Sequence, residues 1–151
     1  MHFSKSVLAL AVSAALILSA CGGGSSTIAS NPPAQQAAVQ TGVFLDSAVA
    51  GVDYTTDSDP TPRQTNAEGQ FYYKAGETVT FKLGGVLLGR AKGADIVSLA
   101  DLDNQGADAP RVKNTAQLLQ TLDDDRDPTN GIVIREVVRQ RFANIKCVLA
   151  D

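Results

Sequence analysis

The stretch QFYYKAGETVTFKLGGVLL, residues 70–88, decides the fold class. Apolar and polar side chains alternate in its QFYYK and TVTFKL segments, which is the period of a strand with one buried face. The intervening AGE and GG segments carry the glycines that tight turns favour. Phe71 and Tyr73 share one face of the first strand, so at most Tyr72 is expected to be exposed for stacking on a sugar. The stretch therefore predicts three short strands joined by turns.

Residues 41–67, on the N-terminal side, continue this pattern. One strand is predicted from Thr41, and a second at residues 49–55, where Gly51 indicates a bulge or a close approach of another segment. Residues 56–67 are polar, contain two prolines and predict a loop. Short strands that recur every 8–12 residues or so, with glycine-rich turns, are typical of a sandwich or a small barrel.

The chain after residue 92 has a different pattern, which predicts helices. Asn114 and Gln117 have the spacing of a capping box, and the leucines that follow form one apolar face. Pro128 and the residue before it resist helix, so this helix is expected to end in the acidic segment that precedes the proline. The tail from Arg135 predicts a second amphipathic helix, with the apolar face Val137, Val138, Phe142 and Ile145.

Residues 1–20 predict a signal peptide. A short basic start precedes an apolar run over residues 7–18. This run is too short to cross a bilayer, since a spanning helix needs about 20 apolar residues. The string LSAC, residues 18–21, resembles the lipobox of bacterial lipoproteins. The resemblance implies cleavage between Ala20 and Cys21 and a diacylglyceryl group on the thiol of Cys21. Several acyl chains would hold the protein firmly, because each buried CH₂ contributes about 0.8 kcal/mol.

The residue after Cys21 predicts where the anchor lies. It is Gly22, and not the aspartate that commonly retains lipoproteins in the inner membrane of Gram-negative bacteria. The resemblance therefore implies a lipid anchor in the outer membrane, facing the periplasm or the outside. Residues 22–40 are uncharged and rich in Gly, Ser, Pro, Ala and Gln, which predicts a flexible tether. The predicted organisation is a signal peptide (1–20), a lipidated cysteine with its tether (21–40), a β-sandwich region (41–92) and a helical, acidic-loop region with an atypical tail (93–151).

The composition excludes several classes of function. The only histidine is His2, which leaves with the predicted signal peptide. The exported chain then lacks a Ser-His-Asp or Cys-His pair and a His-liganded zinc site, which excludes most common hydrolase chemistries but not those run by carboxylates or by an oxygen-liganded metal. We expect no enzyme activity. A net charge of −3 and a pI near 5.0 argue against nucleic acid as a partner, since that partner needs clustered Lys and Arg. Besides Cys21 the chain holds only Cys147, so a lipidated chain cannot form an internal disulfide.

Asp123, Asp125 and Asp127 have the alternate spacing that opens a calcium-binding loop. An EF-hand is excluded, because its loop glycine and the glutamate at its twelfth position are both missing. A looser calcium site would add Asn130. A solvated acidic loop is the alternative and the favoured interpretation, although negative charge at a helix C-terminus is unfavourable to the helix dipole and so favours a cation. We therefore expect no cofactor, with calcium as the one alternative.

Three strings in the chain resemble a group of uncharacterised proteobacterial lipoproteins in their N-terminal region: GVFLDSAVAGVDYTT, NAEGQFYYKAGETVTFKLGGVLLGRA and NTAQLLQTLDDDRDPTNGIVI. The first two strings also resemble the carboxypeptidase regulatory-like (transthyretin-like) β-sandwich modules of surface proteins. The resemblance covers residues 41–134. It implies a mostly β fold, a small β-sandwich with one or two short C-terminal helices. Members of the group usually continue well past the NGI segment, so this chain resembles a shortened member with an altered end near Cys147.

We expect the exported part to be a non-catalytic module for binding, adhesion or envelope structure. Its partners would be the membrane, through the lipid, and a protein or glycan ligand. One alternative is the accessory, non-catalytic part of a truncated exported hydrolase. Another is a periplasmic accessory subunit that recruits a partner protein, which an exposed edge strand around Thr41 to Ser47 would favour.

Overall fold

The computed structural model describes residues 37–104 and 106–148. The predicted signal peptide, the lipidation site Cys21 with its cleavage position after Ala20, and most of the tether lie outside these residues. None of the helices described is long and apolar enough to cross a bilayer. The elements in chain order are β1 (Val39–Leu45), β2 (Val49–Ala50), β3 (Asp53–Thr56), β4 (Arg63–Gln64), β5 (Gln70–Lys74), β6 (Thr78–Leu83), β7 (Val86–Lys92), β8 (Ile96–Ser98), α1 (Pro110–Leu122), β9 (Ile132–Val133), α2 (Glu136–Phe142) and β10 (Cys147–Val148), with short 3₁₀ helices at Leu99–Asn104 and Pro128–Asn130.

The fold is mostly β, as predicted, and two sheets enclose its core. One sheet has the strand order β5-β1-β8 and the other the order β10-β7-β6-β3-β4. Phe44 of β1 stacks on Phe81 of β6 with ring centroids 4.4 Å apart, and Phe71 of β5 meets Phe81 edge-on at 5.2 Å. These three rings are fully buried, so the inward-facing residues of β1, β5 and β6 form the centre of a sandwich.

The strands β5 and β6 begin and end at the residues that the alternation predicts. The strand expected at residues 49–55 is divided into β2 and β3, because Gly51 has a φ of +79°. The chain turns there from β2, which pairs with β9, to β3 in the larger sheet. A Cβ at Gly51 would overlap the carbonyl oxygen of Ile134, so the close approach predicted there is confirmed. The buried hydroxyl of Thr65 bridges both halves, since it donates to the Val49 carbonyl (2.7 Å) and accepts from the Val52 N–H (3.0 Å).

Two further expectations for the N-terminal half are wrong. The predicted loop 56–67 contains the short strand β4, which pairs with β3 at the end of the larger sheet. The edge strand considered around Thr41 to Ser47 is not an edge. β1 lies in the middle of its sheet, antiparallel to β5 and parallel to β8. β5 pairs with residues 39–43 of β1 and β8 with residues 43–45, so each neighbour covers a different part of the strand.

The helix α1 starts earlier than its capping-box pattern predicts. It begins at Pro110, after Ala109, which provides no side-chain cap, and Asn114 lies inside the helix. Proline is favoured at the first helical position because its φ is fixed near the helical value and it has no N–H to satisfy. The predicted end and apolar face are confirmed, since α1 stops at Leu122 and buries Leu119.

The predicted apolar face of the second helix is confirmed in part, because Val138 and Phe142 of α2 pack against the core. Val138 is partly buried, but Val137 and Ile145 are 52% and 42% exposed. The buried residue is Arg139, whose guanidinium donates to the carbonyls of Gly51 (3.1 Å) and Ile134 (2.8 Å). Arg139 was not part of the predicted apolar face, and its cationic side chain can be buried because these two carbonyls accept hydrogen bonds from it. Cys147 is free and exposed on β10, which pairs with β7.

Candidate ligand-binding cleft

An open cleft of about 270 Å³ lies on one side of the sandwich. Its walls come from β5, the outer strand of the smaller sheet, and from β3, β4 and the segment between them. All three tyrosines of the chain line it. The lining residues are Val39, Tyr54, Thr55, Thr56, Ser58, Asp59, Thr61, Arg63, Tyr72, Tyr73, Lys74 and Glu77.

The alternation of side chains along β5 determines which of its aromatic rings is exposed at the cleft. Phe71 and Tyr73 point into the core, and Tyr72 points outward and is 45% exposed, as predicted. The hydroxyl of the buried Tyr54 accepts a hydrogen bond of 3.2 Å from the Tyr72 N–H. This N–H belongs to the outer edge of β5, so Tyr54 satisfies a donor that would otherwise need water and fixes the backbone beneath the Tyr72 ring.

One polar wall of the cleft is built around Glu77. Its carboxylate accepts from the Lys74 N–H (2.8 Å) and from the Ser58 N–H (3.1 Å). The Lys74 ammonium donates in turn to the Ser58 hydroxyl at 3.2 Å. Hydrogen bonds from Ser58 and from the Lys74 backbone lower the pKa of Glu77. The side chain therefore stays ionised at neutral pH, and it links the β5–β6 turn to the segment after β3.

A second polar wall is a turn held by Asp59. The Asp59 carboxylate accepts from the Thr61 N–H (3.0 Å) and forms an ion pair with Arg63 at 2.7 Å. The hydrogen bond from the Thr61 backbone is the largest cause that lowers the pKa of Asp59. Backbone hydrogen bonds between Thr56 and Asp59 in both directions close the same turn. Arg63 lies in β4 opposite Tyr54, which places its guanidinium at the rim of the cleft.

The chemistry of the lining residues is suited to recognition. The lining contains two carboxylates and two cationic side chains, so its formal charges balance. It also contains hydroxyl groups and one exposed aromatic ring. The lining contains no histidine or cysteine, so it offers no nucleophile activated by an imidazole. Such a surface can bind a small polar ligand through hydrogen bonds and a stacking contact.

The predicted calcium residues lie in the turn between α1 and β9. Asp125 accepts from the Asn130 side chain (2.7 Å) and from the Asp127 N–H (2.9 Å). Asp127 accepts from the backbone N–H and the hydroxyl of Thr129. The hydrogen bond from Asn130 is the main reason that the pKa of Asp125 is lowered. The structure thus brings Asp125, Asp127 and Asn130 together, but the two carboxylates already accept hydrogen bonds from donors of the protein.

Asp123 is the exception in this turn. It is 5% exposed and ends α1, and its Oδ1 accepts from the Val133 N–H at 2.8 Å. Its Oδ2 is buried and accepts no hydrogen bond from any of the described residues. Within residues 37–104 and 106–148, no group of three or more His, Cys, Asp or Glu side chains is arranged to hold a metal ion. A calcium site in this turn stays a prediction.

The other acidic groups have local structural partners. Asp57 accepts from the Thr78 N–H at 2.7 Å, and Asp101 accepts from both the N–H and the hydroxyl of Ser98. Asp103 pairs with Arg111 at 2.9 Å. The sequence did not predict the cleft, because Asp59 and Arg63 lie in the segment 56–67, which was expected only to be a polar loop, and Glu77 carries no motif. The three tyrosines, separated by fewer than 20 positions in a chain without tryptophan, were the one available signal.

Comparison with known proteins adds no family to these observations. No family model, curated protein or solved structure matches the chain. The resemblance to proteobacterial lipoproteins and transthyretin-like modules therefore stays a prediction from the quoted strings.

Proposed function

We propose that this chain is a lipid-anchored protein of the outer membrane that binds a ligand in the Tyr72 cleft and catalyses no reaction. The observation that carries the proposal is the cleft itself, which is lined by an exposed ring and by two polar walls held by internal hydrogen bonds. Side chains that are already fixed lose little conformational freedom when a ligand binds, so such a site binds at a lower entropic cost.

Two features of the sequence support the remaining parts of the proposal. The LSAC string at residues 18–21 follows a short apolar run, which favours a lipid anchor at Cys21. The absence of histidine from residue 3 onward favours recognition over imidazole-dependent catalysis. A tethered recognition module would hold its ligand close to the membrane that carries it.

A binding assay on isolated cell envelopes tests the role of the cleft. The exported chain from residue 21, kept in solution by Cys21→Ser, is titrated onto envelopes of the native bacterium. We expect saturable binding that Tyr72→Ala weakens about tenfold. Ile96→Thr is the matched control, because Ile96 is a 59% exposed apolar residue of the same sheet that does not line the cleft. Equal binding by the parent chain and by both variants would refute the function.

A further inference from the structure

We infer that the ligand of the cleft is a neutral saccharide, with one sugar ring lying on the side chain of Tyr72. This inference rests on the proposed binding function and names the class of ligand. A volume of about 270 Å³ is slightly below that of ordinary small-molecule sites, which span roughly 300–1,000 Å³. The cleft therefore suits one or two sugar rings of a longer chain that continues into solvent.

The exposed aromatic ring matches the amphipathic shape of a sugar. A pyranose has an apolar face of C–H groups and a rim of hydroxyls, and it needs a flat apolar surface beside hydrogen-bonding groups. Tyr72 is 45% exposed, and the backbone beneath it is held by the Tyr54 hydroxyl. Aromatic side chains combine large contact area with few rotatable bonds, so they bind planar partners at a low entropic cost.

The charges around the ring favour a neutral ligand. Asp59 and Glu77 stay ionised because hydrogen bonds lower the pKa of each, and they would repel a phosphate or a carboxylate. Arg63 and Lys74 would repel a cation in the same space. A sugar hydroxyl can donate to a carboxylate and accept from an ammonium or a guanidinium, so it satisfies both signs of charge at once.

The edge of β5 disfavours a peptide as the ligand. A peptide that adds a strand needs free backbone groups along the edge of a sheet. The N–H of Tyr72 is bonded to the Tyr54 hydroxyl, and the N–H of Lys74 is bonded to the Glu77 carboxylate. A pairing strand would have to displace both side chains, whereas a saccharide contacts the side chains that already form the walls.

Intrinsic fluorescence gives a direct test of saccharide binding. The chain has no tryptophan and all three tyrosines line the cleft, so its emission reports on this site. The exported chain is titrated with maltohexaose, cellohexaose, chitohexaose and a mannohexaose, and the affinities are measured in parallel by calorimetry. We expect at least one sugar to bind, Tyr72→Ala to weaken it about tenfold, which corresponds to about 1.4 kcal/mol, and Tyr72→Phe and Ile96→Thr to bind as the parent does.

Chemical treatment of the envelopes separates the ligand class from the function. Periodate cleaves the vicinal diols of sugars, and we expect it to abolish the Tyr72-dependent binding to envelopes, while protease treatment leaves this binding unchanged. Binding that depends on Tyr72 but survives periodate and is lost with protease would overturn the saccharide inference and leave the binding function standing. Absence of any Tyr72-dependent binding, to envelopes or to the four sugars, would overturn both.

Discussion

At the scale of single residues, the buried carboxylate of Asp123 gives the acidic turn a structural role that can be tested separately from metal binding. Its Oδ1 accepts from the Val133 N–H, whereas its buried Oδ2 has no partner within the part of the chain that the structure describes. An uncompensated buried polar atom usually costs about 1–3 kcal/mol. The position at the C-terminus of α1 adds an unfavourable interaction with the helix dipole.

We predict that Asp123→Asn leaves the free energy of unfolding unchanged or raises it, because asparagine keeps the acceptor for Val133 and removes the charge. Asp123→Ala should lower it by about 1–3 kcal/mol, since the Val133 N–H then loses its partner. Urea denaturation of the exported chain checks both values. A loss of stability in Asp123→Asn as large as in Asp123→Ala would contradict this explanation.

The same turn allows a prediction about calcium. The oxygens of Asp125 and Asp127 already accept hydrogen bonds from Asn130, Asp127 and Thr129, so we expect the melting temperature in EDTA and in millimolar calcium to be equal. Thermal melts of the exported chain measure the difference. A rise with calcium that Asp125→Asn removes would identify this turn as a metal site.

At the scale of elements, the passage from β2 to β3 depends on Gly51. The residue has a φ of +79°, and an added Cβ would overlap the Ile134 carbonyl oxygen. Gly76, in the β5–β6 turn, has a similar φ of +83° with no atom near the corresponding position. We predict that Gly76→Ala costs about 1–2 kcal/mol from the backbone conformation alone. Gly51→Ala should cost clearly more, because the steric overlap adds to the same strain. Equal costs in urea denaturation would show that the contact with Ile134 can relax.

Glu77 makes the link between the β5–β6 turn and the segment after β3 sensitive to pH. The pKa of Glu77 is lowered in the folded state, chiefly by the hydrogen bond from the Ser58 side chain. Its stabilising effect is therefore complete above the unfolded-state pKa, about 4.3, and is lost as the pH falls through the folded-state value. We predict that the stability difference between the parent chain and Glu77→Gln is largest at neutral pH and shrinks in acid. Urea denaturation between neutral and acidic pH measures it, with Glu68→Gln as the control in an exposed turn. A difference that is constant with pH would refute the role of the charge.

Elements determined by neighbours in the sequence were predictable, and those determined by distant contacts were not. The bounds of β5 and β6 follow from alternation and from glycine turns, which are local properties. Two features depend on contacts between segments that are far apart in the chain. The strand is divided at Gly51 where β2 pairs with β9, and Arg139 is buried because it donates to the carbonyls of Gly51 and Ile134. The cleft was missed for the same reason, since its walls meet only when the two sheets pack. The start of α1 was a local error, in which Pro110 outweighed Asn114.

At the scale of the whole molecule, the predicted anchor determines where the cleft operates. We predict that Cys21→Ala moves the protein from the membrane fraction to the soluble fraction and prevents incorporation of radiolabelled palmitate, because the thiol that accepts the lipid is gone. Cys147→Ala is the matched control, since Cys147 is exposed on β10 and should not affect fractionation. Retention of the Cys21→Ala protein in membranes would contradict the lipid anchor.

The pairing of β2 with β9 also sets the order in which the chain can fold. Val49 pairs with Ile132, about 80 residues later, and Arg139 donates to the Gly51 carbonyl from still further along the chain. A strand of two residues has no stability until its partner arrives, and contacts between distant segments form slowly because a long loop must close first. A chain synthesised from its N-terminus therefore lacks these contacts until nearly all of it is present. In a precursor that is exported through the predicted signal peptide, this delay would keep the chain unfolded while it passes through a narrow translocation channel. Its final folding would then follow on the far side of the membrane.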